Sequence, residues 1–193
     1  MDVKKDWLTK LFDLKISILR IAIGNDTSQE AVNEFDESIG RFQDFVETYK
    51  GVIRKYPSTE EVINAYNKIA EYKHTATDNF SNFKDTLENF LNVLDGAIEK
   101  LNAKISERSN VTNQTIVVND GNVQIGDNNS QYINDDTKRV EEKIKELIEL
   151  AQSSNISEND RRNLLLNIRD LLNSPAIASV LGGLASGLAS LLS

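Results

Sequence analysis

The chain contains no cysteine and a single histidine, His74. Without thiols there can be no disulfide framework, no Cys-ligated zinc and no thiol nucleophile. One histidine leaves no His-based metal cluster, and any Ser-His-Asp triad would depend on His74. That residue sits in the polar stretch Tyr72-Lys73-His74-Thr75 and reads as a solvated surface group. A basic stripe is missing too: 22 Lys and Arg face 30 Asp and Glu, for a formal charge of −8. Nucleic-acid backbones need clustered cations, and so do anionic lipid surfaces, so neither is an expected partner by charge. There is no Gly-rich phosphate loop, because Gly121 to Gly126 lacks a following Lys-Ser/Thr. Asp26, Asp36, Asp44 and the other carboxylates fall at the spacing of solvated helix faces, and no pair stands out as an acid/base couple. The reading is non-enzymatic: no catalytic residue, no metal ligand and no cofactor. Met1 to Lys10 has no apolar core ahead of a small-residue cleavage site, so a cytoplasmic location is expected.

What is present divides the 193 residues by composition into three parts. Residues 1–108 read as an antiparallel helical bundle. Trp7, Leu11, Leu14, Ile18 and Ile21 form a first stripe, reinforced by Leu8, Phe12 and Leu19. Val32, Phe35, Ile39, Phe42, Val46 and Tyr49 follow steps of three and four, with Asp26-Thr27-Ser28 as capping material before them and Gly51 as an expected C-cap. After Pro57, Ser58 and Glu61 have capping-box spacing and open a helix bearing Val62, Tyr66 and Ile69. A longer stripe runs through Phe80, Phe83, Leu87, Phe90, Leu94, Ala97 or Ile98, Leu101 and Ile105. Helices of this kind bury their stripes against one another.

Residues 109–136 lose the helical period. Asn, Gln, Asp, Thr and Ser dominate, interrupted by the β-branched runs at Thr115–Val118 and Val123/Ile125, with Asp120-Gly121 and Gly126-Asp127-Asn128-Asn129 as turn material. This predicts a short β-strand-forming oligomerisation segment. A hairpin so short is marginal alone, so its expected partner is another copy of itself. A polar linker between helical regions is the alternative. Residues 137–193 return to helix: Val140, Ile144, Leu147, Ile148 and Ala151 on one stripe, then Leu164, Leu165, Ile168, Leu171 and Leu172 after a cap at Ser157 or Asn159, with Pro175 closing or restarting the helix. The tail from Ser174 to Ser193 carries no charge. Gly183 and Gly187 form a G-x-x-x-G pair beside Leu181, Leu184 and Leu188. Two readings stay open for these five residues: a membrane-inserting helix, or a helix packed in a soluble core or against a neighbouring subunit.

The middle segment, Gly121 to Ile133, resembles the RIP homotypic interaction motif (RHIM) of the necroptosis kinases and their adaptors. The central tetrad of that motif matches Val123-Gln124-Ile125-Gly126, followed by Asn128 and Asn129, and Ile116-Val117-Val118-Asn119 is similar to the apolar-Asn run that precedes it. The family's aromatic or large apolar group is replaced here by Ser130-Gln131, ahead of Tyr132-Ile133. The match covers residues 116–133. Similar motifs occur in bacterial and fungal amyloid-signalling proteins, often joined to a helical killing domain. The resemblance implies homo-oligomerisation through Val117, Val118, Val123, Gln124, Ile125, Gly126, Asn128 and Asn129, with another protein bearing a similar motif as a second possible partner. It also implies a signalling or cell-death effector of antiviral defence, becoming membrane-associated after assembly if the tail inserts. The rival expectation is an oligomeric scaffold or adaptor closed by a ring of strands, or a decoy that caps another protein's stack.

Overall fold

A computed structural model of the chain describes residues 2–73, 80–110, 135–153 and 156–192. Its order is α1 (Val3–Ile18) continuing through a π-helical turn (Leu19–Ile23), then α2 (Gln29–Ile53), α3 (Thr59–Lys73), α4 (Phe80–Asn110), α5 (Asp135–Gln152), α6 (Glu158–Asn173), α7 (Pro175–Leu181) and α8 (Leu184–Ser190).

Helix α1 is the axis of the molecule. Trp7, Leu8, Leu11, Phe12, Leu14, Ile16 and Ile18 are all at most 1% exposed, so the helix is covered on every side instead of showing one stripe to a core. It contacts α2, α4, α5 and α7. Trp7 lies 5.4 Å from Phe42 and 6.1 Å from Phe45, both on α2, and Phe42 lies 5.2 Å from Tyr66 on α3. Helix α4 adds Leu87, Phe90, Leu94 and Leu101, and α5 adds Val140, Ile144 and Leu147 to the same cluster of buried residues. The helices on either side of residues 111–134 therefore share one core, and the compositional boundary is not a boundary in packing.

Local chemistry accounts for several helix starts. Ser28 caps α2 by accepting from the Ala31 amide at 3.2 Å, Ser157 caps α6 through Asp160, and Ser174 caps α7 through Ile177 with Pro175 in its first turn. Ser58, at φ 59°, precedes α3, and its hydroxyl, followed by Lys100, holds the Glu61 carboxyl below its usual range. Gly51 does not end α2. The helix continues to Ile53, whose complete burial favours the extra turn.

The expectation of a β-strand-forming segment in the fold class is corrected. No strand occurs among the described residues, and the mainly α class stands. The edges of the 109–136 span are helical: α4 runs through Asn110, and α5 begins at Asp135. Two reasons are physical. Asp135 and Asp136 place carboxylates at the positive end of α5, which favours starting a helix there. The described helices also offer no sheet edge for a strand to pair with. Residues 111–134, with the eight expected oligomerisation residues, lie outside the described residues, as does His74.

Candidate functional site: a polar seam between α1, α2 and α5

Four polar positions on otherwise apolar faces meet inside the molecule. Asp13 lies on α1 between Phe12 and Leu14, Ser17 one turn later, Ser38 on α2 between Phe35 and Phe42, and Lys143 on α5 beside Ile144. Lys143 is 5% exposed. Its Nζ contacts Asp13 Oδ1 at 2.6 Å, Ser38 Oγ at 2.6 Å, Ser17 Oγ at 2.8 Å and Glu34 Oε1 at 3.1 Å. Three ammonium hydrogens thus meet four acceptors from two other helices. The serines are held in turn: Ser17 Oγ donates to the Asp13 carbonyl at 3.1 Å, and Ser38 Oγ to the Glu34 carbonyl at 2.8 Å.

Two arginines extend the seam. Arg41 donates to Asp13 Oδ2 from Nε at 3.1 Å and from Nη2 at 3.0 Å, a fork that only guanidinium supplies. Arg20, in the π-helical turn, reaches Asp26 at 2.7 Å, Glu34 at 2.7 Å and Glu146 of α5 at 2.8 Å. Burial pushes the Asp13 carboxyl up, but Lys143 and then Arg41 outweigh it and hold Asp13 below the usual range. Asp26 behaves likewise: burial raises it, and the Ser28 hydroxyl and Arg20 bring it down. Glu146 moves the other way, raised by burial and then by the neighbouring charge of Glu34, against the pull of Arg20. At the start of α5, Lys10 bonds Asp136 at 2.8 Å and Arg139 bonds it at 3.0 Å.

A groove of about 480 Å³ runs above the seam between α2 and α5, with Gln29, Asn33, Glu37, Arg139 and Glu142 among its lining groups. Lys143 at its floor is saturated by acceptors. Among the described residues no group of three or more His, Cys, Asp or Glu converges in a way that could hold a metal ion. What this arrangement does chemically is fix one helix on two others: translation of α5 by a turn would remove Lys143 from all of its acceptors.

The seam was not singled out from the sequence, where Asp26 and its fellow carboxylates read as solvated faces. The available signal was a polar residue on an apolar stripe, since Val140, Lys143, Ile144 and Leu147 share a face, as do Phe35, Ser38, Ile39 and Phe42.

The five tail residues are divided by the structure. Leu181 and Leu188 are buried, whereas Gly183, Leu184 and Gly187 face outward. Gly182, at φ 61°, breaks the tail into two seven-residue helices. Among the described residues no helix is long and apolar enough to cross a membrane. Comparison of the chain with protein-family models, curated proteins and solved structures gave no match.

Proposed function

We propose that the protein is a non-enzymatic, self-associating effector, in which residues 116–133 carry recognition between copies and the helical body carries the output. The observation that carries this reading is the Val123-Gln124-Ile125-Gly126 tetrad with Asn128 and Asn129, placed between two helices that share one core. Association through such a segment gathers whole bodies, and gathering turns a weak body–body affinity into an effectively intramolecular one, with no catalytic group required. The class of role is that of amyloid-signalling proteins in cell death and antiviral defence. An adaptor role is the second reading. It is favoured by Leu181 and Leu188, which the chain already uses in its own core.

The test compares full-length wild type with Ile125→Asp by light scattering over a concentration series, with far-UV circular dichroism on the same samples. Wild type is expected to form assemblies larger than a dimer. The variant should not, while keeping the helical signal. Equal growth of both, or no growth of wild type, would overturn the reading.

A further inference from the structure

Helices α5–α8 form an arm joined to the α1–α4 body only through residues 111–134. The arm's seat on the body is specified in detail. Lys143 threads between α1 and α2 onto Asp13, Ser17, Glu34 and Ser38, Glu146 meets Arg20, and Asp136 meets Lys10. Around these contacts Val140, Ile144, Leu147, Ile177 and Val180 are buried. A seat with a buried charge at its centre favours one register over all others, because any misplacement leaves Lys143 desolvated and unpaired and Asp13 with Arg41 alone. The same charges regain water when the arm lifts away, so opening is less costly than for a purely apolar face of equal area. A chain as long as residues 111–134 reaches at most roughly 80 Å. The longest helix of the body, α4 with 31 residues, spans about 46 Å.

We propose that the α5–α8 arm also docks on the body of a second copy of this chain, making between copies the contacts that it makes within one. The partner is identified by the seat itself, since another copy supplies the same Asp13, Ser17, Glu34 and Ser38. Reciprocal exchange satisfies every contact in both chains and closes the pair at two, the low-cost route to a dimer by swapping an element. The balance between closed monomer and exchanged dimer is then set by protein concentration against the effective concentration of an arm tethered at its own body. This association does not depend on the tetrad at residues 123–126.

The absence of cysteine makes the test direct. A side chain added at Gly40 on α2 or at Gly187 on α8 meets nothing within 4 Å, so Gly40→Cys and Gly187→Cys accept dyes without disturbing the fold. Full-length chains labelled with donor at 40 are mixed with chains labelled with acceptor at 187, at near-millimolar concentration after brief exposure to mild urea. The expected result, read molecule by molecule, is energy transfer within mixed donor–acceptor pairs at the efficiency of a single chain carrying both labels, equally in the Ile125→Asp background. No transfer, transfer at a different efficiency, or transfer only with Ile125 intact would overturn arm exchange. Because the Ile125→Asp background isolates the two, failure here is separate from failure of the tetrad reading.

Discussion

Lys143 concentrates the energetics of the fold into one side chain. A buried ion pair adds little net stability over a well-packed apolar pair, but removing one partner strands the other. Lys143→Ala is therefore expected to lower unfolding free energy in urea by about 3–5 kcal/mol, because Asp13 would keep only Arg41. The pH dependence follows from the same pair. Asp13 has a folded value below its unfolded one, so its contribution is complete above the unfolded carboxylate range near ~3.9 and is lost as pH falls through the depressed value. Wild type should lose stability on this acid limb, and Asp13→Asn, already weakened at neutral pH, should show a shallower one in urea titrations at successive pH values. Glu146 and Asp6, both raised by burial, act in the opposite sense and lose their contribution as pH rises. Gly24 is a residue of another kind. A Cβ there would lie 2.7 Å from the Arg20 carbonyl oxygen and 2.8 Å from a Leu150 methyl, so the π-helical turn meets α5 only because the side chain is absent. Gly24→Ala should cost about 1–3 kcal/mol, read as a lower midpoint in the same denaturation.

At the scale of elements, the serine caps show how far local chemistry goes. Ser28→Ala should cost roughly 1 kcal/mol by removing the acceptor for the Ala31 amide. Such caps, together with Phe35, Ile39 and Phe42 of the α2 stripe and Leu87, Phe90, Leu94 and Leu101 of the α4 stripe, were readable because they depend on neighbours within one or two turns. Val32, by contrast, lies exposed, Phe45 is buried off the expected stripe, and the side chains of Phe80 and Ile105 lie outside those described. The end of α2 was not. Gly51 carries the local stop signal, and the burial of Ile53 against distant helices overrides it. The tail shows the same division. Its uncharged composition was plain, but whether Leu181 and Leu188 meet lipid or protein depends on α7 and α8 finding α1, α4, α5 and α6.

For the whole molecule, a shared core implies shared cooperativity. Trp7, the single tryptophan, is buried in α1 against Phe42 and Phe45. Helix α7 packs on that same helix. Deleting residues 174–193 should therefore lower the thermal midpoint seen by Trp7 fluorescence as well as that seen by circular dichroism. An unchanged Trp7 transition would mean that the tail is not part of this core. In wild type the two probes should give coincident transitions, as expected of a single cooperative unit.

By itself the sequence determined the helical class, the stripes that become core and most caps, because these obey the 3.6-residue period and hydrogen bonds between near neighbours. The tertiary structure decided what proximity across the chain decides. Helix α1 became an enclosed axis instead of one wall of a bundle, the C-terminal helices joined the N-terminal core, and Asp13, Glu34, Arg41 and Lys143 became a single buried network. Asp13 and Lys143 stand among apolar residues of their own helices, a signal of burial that names no partner. Their meaning comes from the other helices, and no local period encodes which helix will lie opposite.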